Sequence, residues 1–449
     1  MKIIIVGAGV AGLSAYLKLR KVLPDTDSHT FTIFESHKDD ETQVQSTSDR
    51  NELSDSAAIV GNSIVLSPSS IRLLAQIDPE LYTRFKGRGY ENHNFRIRTA
   101  RGHEIALLPT KDDVLPVEAA ISCPRYVLWE CLQEVVGKDD IQQGKVVAVD
   151  VLHGQKPAVR LANGELHEAD LVIGADGVHS VVKKGLFGKE NEDRYAPQFE
   201  GFRGVGAFLD MDIPESVSTH DSIVVTFGPT GSFGYCSSAP ASHKRIGWWS
   251  NWRTTEPPSS SFMDAEEIQA GLYDRHKTWK DPVIQACIKT TTTDRIYPLW
   301  TTPDLPHWGT NGVVLLGDSA HTLQATSGQG AAQALEDVVT FSLLLAHFTA
   351  KAQQSEAELS VEQAIDAASK GLFEIRHARV RNIRTRARNL YASRGRIDNV
   401  VLEYLYYAYL YAVTNVRFIG EWMIGNSFIE PNEWNAEAEV QKYLERTGL

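Results

Sequence analysis

The 449-residue sequence predicts an α/β protein with three parts: a parallel-sheet layer, a mixed or antiparallel β-sheet layer and a helical C-terminal region. Three observations carry this. Short β-branched apolar runs (Lys2–Val6, Leu171–Gly174 and Gly312–Leu316) each pass directly into a turn and then a helical pattern. Between Phe199 and Trp252, segments of alternating apolar and polar residues follow one another at hairpin spacing. Beyond about residue 355 the pattern is helical throughout.

The first run, KIIIV, feeds Gly7-Ala8-Gly9-Val10-Ala11-Gly12 and then LSAYLKLRKVL, whose leucines suit one face of a helix. Gly7 permits the tight turn, Gly9 lets backbone approach a pyrophosphate, and Gly12 allows close packing of helix on strand. Val10 and Ala11 open the helix, where free N–H groups and the positive end of the dipole await an anion. A second strand, Thr30 to Phe34, ends in Glu35, 23 residues after Gly12. A carboxylate there accepts hydrogen bonds from a ribose and repels a 2′-phosphate. The parallel layer is therefore Rossmann-like and built for a dinucleotide.

Two later segments choose between dinucleotides. Gly312 to Leu316 is followed by Gly317-Asp318 and a loop into a helix that begins near Gln329. An Asp at the end of such a strand is placed to bind a polyol such as the ribityl chain of a flavin, which NAD lacks. Gly328-Gln329-Gly330 offers N–H groups and a positive helix end where negative charge on a flavin ring or a phosphate would settle. Asp176-Gly177 closes the Leu171–Gly174 strand and is expected close to the pyrophosphate. Together the three segments imply FAD.

The chain resembles the group A flavoprotein monooxygenases, the aromatic hydroxylases of the salicylate and para-hydroxybenzoate type. The matching residues are GAGVAG with Glu35, Ala169 to Lys184 (ADLVIGADGVHSVVKK), and Gly317 to Val338 (GDSAH…SGQGAAQALEDV). The resemblance implies FAD held through these motifs, with Asp318 on the ribityl chain, Gly328–Gly330 at the ring, Arg125 as a further contact, and Asp176 serving FAD and NAD(P)H alike. It also implies NADPH or NADH as cosubstrate, activation of O2 as a flavin C4a-hydroperoxide, and attack by an electron-rich aromatic or enol-like small molecule. Two departures stand out. Ala325 occupies the position where the family usually has proline. The stretch His37 to Ser56 is long, polar and without apolar period, reading as a surface loop, and Arg50 within it is the candidate for the family's flavin-contacting arginine.

The expected FAD-binding domain is discontinuous, taking residues 1–90, 105–195 and 290–350. A β-sheet substrate domain takes 91–104 and 196–289, and 351–449 forms the helical C-terminal region. Lys145 to Leu166 reads as a meander, and the hairpin around Arg101-Gly102 is expected to join the substrate sheet. Arg203 in GFRG and Tyr235 in FGYC are the candidate catalytic pair, lying in strands that could face the ring. A cation opposite a phenol-like substrate would favour its phenolate, the better nucleophile.

A net charge of -12 argues against a nucleic-acid partner. Cys123, Cys131, Cys236 and Cys287 show no metal-site spacing and read as reduced thiols, and the first strand starts at residue 2, so no metal and a cytoplasmic location are expected. Arg376 to Arg396 holds eight arginines and no acid, read as a solvated helix face paired to the acidic remainder of the chain. Val400 to Gly425 is apolar, but Glu403, Asn415, Arg417 and Glu421 favour a buried or interfacial helix over a membrane span, with membrane-surface contact the lesser reading. The alternatives to aromatic hydroxylation are a flavin-dependent epoxidase or ring-rearranging oxygenase of a secondary metabolite, and, in a different class, a flavoprotein reductase or a non-catalytic FAD-binding protein.

Overall fold

The computed structural model of the chain describes residues 1–36, 63–110, 118–324, 327–353, 359–392, 397, 399–416 and 434–448. The stretch His37 to Ser56 with Arg50, and Ala325, lie outside the described residues.

The β-branched runs form one parallel sheet, in the order Gly309–Thr310, Val313–Leu315, Leu171–Gly174, Lys2–Val6, Thr30–Glu35, Ile141–Gln143, with only the first strand antiparallel. Val6 pairs with Gly174, and Gly174 with Leu315, so the three strands that carry the three motifs end side by side. Ile3, Ile4, Ile5, Leu171, Val172, Ile173, Val313, Val314 and Leu315 are fully buried. Covered on both faces, such strands read as continuous apolar runs without alternation. The helices Val10–Val22 and Gly330–Ala352 pack against this sheet and against each other.

A second sheet has seven strands in the order Tyr297–Thr301, Gln198–Asp210, Arg245–Arg253, Gly231–Ser237, Ser222–Gly228, Asn94–Thr99, Glu104–Pro109. It is mixed, because Ser222–Gly228 pairs parallel with Asn94–Thr99. Successive side chains alternate between its two faces, and directly paired residues share a face. One face carries Val205, Phe233, Tyr235, Ile246 and Trp248, and packs on the helices Ala265–His276 and Pro282–Thr290 through Ile268, Leu272, Val283, Ile284 and Cys287. The other turns toward the parallel-sheet layer. A side chain at Gly247 would run into Ser63 of the strand Ser63–Leu66, and Ser122 Oγ donates to the Ser237 carbonyl at 2.5 Å. The helix Val400–Asn415 covers the far edge of that second face, with Tyr407 and Leu410 on Ile97, Ile105 and Ala106.

The arginine run departs from its expected solvated face. It lies on the helix Val361–Ala392, and Arg376 is fully buried. Its guanidinium pairs with Glu336 and, at 2.9 Å, with Asp337; Arg379 reaches Glu336 at 2.8 Å. Arg384 is buried as well and donates to the Thr302 carbonyl at 2.9 Å. The acids expected as surface partners are buried ones, so this side of the helix faces inward. Among the described residues no helix is long and apolar enough to cross a membrane. The helix Val400–Asn415 buries Glu403 against Arg101 at 2.7 Å while Val401 and Leu405 stay exposed.

Removing one partner of a buried ion network strands the others, so Arg376→Met is expected to cost about 3–5 kcal/mol of stability in denaturant unfolding. A loss within experimental error would show that Glu336 and Asp337 do not depend on Arg376. A pH effect follows from His276, which accepts or donates at 2.9 Å to Ser250 and is pushed down to about 3 by burial and then by Arg275. The unfolded chain takes up this proton near the ordinary value of about 6.5 and the folded chain does not. Stability present above that pH is therefore lost progressively as pH falls toward 3. His276→Gln should flatten that part of the stability profile, and an unchanged profile would refute the assignment.

Candidate functional site

The glycine loop at the end of Lys2–Val6 is close-packed on one side and open on the other. Gly7 has φ +102°, and a Cβ there would lie 2.5 Å from the Ala175 carbonyl oxygen and 3.1 Å from the Asp176 Cα. A Cβ at Gly12 would collide with the Gly7 carbonyl, whereas nothing lies within 4 Å of one at Gly9. Gly7 and Gly12 thus lock turn, strand and helix together, and Gly9 leaves backbone exposed for a ligand. The Val10–Val22 helix starts there without a side-chain cap, leaving the first-turn N–H groups around Val10 and Ala11 without intrahelical partners. Glu35 ends its strand beside this loop, its Oε2 accepting the Ala8 N–H at 2.8 Å. Trp129, which the sequence did not single out, closes the loop from the far side by donating Nε1 to the Ala8 carbonyl at 3.0 Å.

The other two motifs meet this loop. Asp176 uses Oδ2 to cap the helix Val181–Phe187, accepting from Val181 at 2.7 Å and Val182 at 3.2 Å. Its Oδ1 is buried with no partner, and burial raises its pKa. Gly177 takes φ +78° to make the turn. Lys183, in the same motif, is pushed down to about 8 by burial, against the opposing pull of Asp176. Gly317 has φ +63°, and a Cβ there would lie 2.9 Å from the Ala334 side chain and 3.4 Å from that of Ala11, so the third turn nests between the first and last helices of the layer. The Asp318 carboxylate faces the start of the Gly330–Ala352 helix, 3.9 Å from where a Cβ at Gly330 would sit. Gly328 has φ +64° and opens onto free space, and the Gln329 N–H is held by Ser327 Oγ at 3.3 Å. Arg125 starts the helix Arg125–Val136; burial lowers its pKa, and the nearby charge of Asp318 and then Tyr297 opposes that shift.

Among the described residues neither the Asp318 carboxylate nor the Arg125 guanidinium has a hydrogen-bond or ion-pair partner. Together with the orphaned Asp176 Oδ1 and the open backbone at Gly9, they form an incomplete polar set. Hydroxyl donors suit Asp318, and phosphate oxygens suit Arg125 and the free N–H groups. FAD carries both, so the residues present fit it.

The structure places the candidate catalytic pair on the helix-backed face of the sheet. Arg203 pairs with Trp252 and Tyr235 with Trp248, and both tryptophans belong to the helix-backed face. Arg203 donates to the Glu256 carbonyl at 2.9 Å, and Tyr235 is fully buried, donating to Asp281 at 2.9 Å. Burial and then Asp281 raise the pKa of Tyr235. Strand alternation turns both away from the parallel-sheet layer. The residues that do face it are Phe202, Trp249, Asn251, Tyr297 and Leu299, through the pairs Gly206–Trp249, Gly204–Asn251 and Gly204–Tyr297. A Cβ at Gly234 would strike the Trp249 ring, which lies flat over that glycine. The signal for them was the alternation itself, read with the opposite choice of face.

A family model described as FAD binding domain matches residues 140–368. Zeaxanthin epoxidase of an Oncidium hybrid cultivar is 31% identical over 57% of this chain, and the alignment spans 37% of that protein, just over a third of its length. Aurachin C monooxygenase/isomerase of Stigmatella aurantiaca is 27% identical over 77% of this chain and 80% of its own. Klebsiella pneumoniae HpxO, solved with FAD and uric acid, superposes with a TM-score of 0.71 at 17% identity, covering 96% of this chain and 97% of its own. A salicylate hydroxylase substrate complex gives 0.71 at 16% identity over 99% and 98%.

Asp318→Ala is expected to release FAD by removing charge-assisted hydrogen bonds worth about 1.5–3 kcal/mol. Glu35→Ala should weaken it by about 1–3 kcal/mol without changing the absorption spectrum of the bound fraction. Equilibrium titration of the FAD-free protein checks both, and full occupancy in the Asp318 variant would remove the third motif from the site. With three strand ends converging on one incomplete polar set, a family model covering half of its length and the fold of the flavin monooxygenases throughout, this chain belongs to the FAD-binding domain family.

Proposed function

We propose that this protein is an FAD-dependent monooxygenase that uses NADPH or NADH and O2 to insert one oxygen atom into an uncharged, electron-rich small molecule. When bound, FAD supplies the passage of two electrons from the nicotinamide to O2. The chain's own residues bind, orient and enclose. Asp318 and Glu35 accept from hydroxyls at the middle and the adenosine end of the cofactor, and Arg125 with the Gly9–Gly12 backbone holds its phosphates. The sheet face bearing Phe202, Trp249 and Leu299 keeps water away from the reacting atoms, while Asn251 and Tyr297 offer the polar groups that orient a substrate.

The observation that carries the reading is that this apolar face lies opposite the convergence of all three motifs, with Tyr297 close enough to Arg125 for each to influence the other's ionisation. The same face favours a second reading, epoxidation of an alkene. Phe202, Trp249, Asn251, Tyr297 and Leu299 carry no charge, and Arg253, opposite Phe202 on the same face, has its guanidinium over the Phe202 ring at 5.7 Å. The two curated relatives described above are named an epoxidase and a monooxygenase/isomerase, in keeping with either outcome. We place the chemistry in the cytoplasm, in keeping with four buried cysteines that form no disulfide.

The test is a panel of neutral phenols, enols and alkenes scored for stimulated NADPH oxidation, with O2 uptake and product mass followed together. A product one oxygen atom heavier, formed in step with O2 uptake, is expected. NADPH oxidation yielding only hydrogen peroxide across the panel would leave a reductase or oxidase instead. Arg203→Ala should keep full coupling. Tyr235→Phe should cost about 0.5–1.5 kcal/mol of stability by removing one hydrogen bond from Asp281, which keeps Arg98 at 2.7 Å, also without uncoupling turnover. Uncoupling in either variant would return these residues to the reaction.

A further inference from the structure

The arginine-rich helix Val361–Ala392 reaches the turn at Ser327–Gly330 through an acid and an amide. Arg388 Nη2 meets Glu200 Oε1 at 2.7 Å, and Thr301 Oγ1 donates to the same oxygen at 2.6 Å. Glu200 Oε2 accepts from Gln324 Nε2 at 3.0 Å. Burial opposes the charge on Glu200, but Arg388 and Thr301 together hold its pKa below the usual carboxylate value. The Gln324 backbone is tied down as well, its carbonyl accepting from the Ser327 N–H at 2.8 Å and the Ser327 Oγ at 2.7 Å. Gln324 therefore has both its amide nitrogen and its main chain fixed, three residues before the Ser327–Gly330 turn.

Its remaining group is unsatisfied. Gln324 is only 4% exposed, and its Oε1 has no hydrogen-bond partner. A buried acceptor left unpaired is unfavourable unless a donor arrives with a ligand. A dinucleotide held at Asp318 and running along the start of the Gly330–Ala352 helix brings its ring to this loop. An oxidised isoalloxazine carries a single N–H donor, on its pyrimidine edge.

We propose that Gln324 is a cofactor-contacting residue whose Oε1 accepts a hydrogen bond from the ring N–H of bound FAD, and that Glu200 and Arg388 are positioning residues that hold its amide. This rests on the assignment of FAD to the site and goes beyond it by giving the arginine run a role. Arg388 is 47% exposed, so its replacement leaves the core untouched.

The experiment measures FAD affinity by quenching of flavin fluorescence, and the visible absorption bands of the bound flavin, without substrate or nicotinamide. Gln324→Leu is expected to raise the FAD Kd about five- to tenfold and to shift the bands, since one hydrogen bond is lost. Glu200→Gln and Arg388→Gln should move both readouts in the same direction by about two- to fivefold, with Arg388→Lys restoring part of the loss. Arg381→Gln, exposed on the same helix, should behave as the unaltered protein. Wild-type affinity and spectrum in Gln324→Leu would overturn the proposal, as would a change seen only in the KM for substrate. A fall in the thermal stability of FAD-free Gln324→Leu that accounts for the lost affinity would reduce the residue to a structural one and overturn it too. If the unaltered protein binds no FAD, the cofactor assignment itself fails.

Discussion

The Asp337 carboxylate is the contact on which the rest of the site hangs. It is fully buried, accepts the Gly317 N–H at 3.0 Å and His321 Nε2 at 2.5 Å on one oxygen, and takes Arg376 at 2.9 Å on the other. Burial alone would raise its pKa, but His321 and Arg376 outweigh that and keep it ionised. Gly317 can hold its positive φ, and so aim Asp318, because its N–H is taken up by this charge. Arg376 in turn rests under the Trp434 ring at 4.8 Å and pairs with Glu336, which also binds Arg379. A local turn in the nucleotide-binding layer is thereby tied to the helical C-terminal region. A buried ion set of this kind adds little net stability over an apolar core, yet losing one member is severe. Its contribution is to hold one geometry.

The seven-stranded sheet divides labour between its faces. The helix-backed face holds the polar groups that need satisfying inside a core: Tyr235 on Asp281, Arg98 on Asp281 at 2.7 Å, Ser250 on His276. The face toward the parallel layer holds aromatic and small residues. Glycines at 204, 234 and 247 let Asn251, the Trp249 ring and the Ser63 and Ser238 side chains lie against the strand backbone. Charged groups reach this side too: Arg253 lies over the Phe202 ring at 5.7 Å, and Glu200 accepts from Gln324 at 3.0 Å.

Much of the turn geometry at the strand ends was legible because each part is a local device. Gly7, Gly177, Gly317 and Gly328 all adopt positive φ, which only glycine takes without strain, and the first three each follow an apolar run that the parallel sheet buries on both faces. Glu35, Asp176 and Asp318 could be placed because a strand's end in such a sheet points at the ligand edge. The Trp129 contact and the Gln324–Glu200 hydrogen bond were not legible, since nothing local marks a tryptophan that braces a loop or a glutamine held by an acid distant in sequence.

The sequence by itself determined the strand–turn–helix units, their order and the chemistry of the dinucleotide they accept, because φ preferences and apolar runs act within a few residues. It also determined that Trp248 and Trp252 lie on one face of their strand and Trp249 on the other, since alternation is built into any strand. Only the tertiary structure decided which face meets the nucleotide layer. Period two defines two faces and assigns neither to a neighbour; the helices Ala265–His276 and Pro282–Thr290 settled it by covering the face of Tyr235. The arginine run was decided the same way. Charge spacing along a helix is identical whether its partners are surface acids or the buried Glu336 and Asp337, and packing alone brought those acids beneath Arg376.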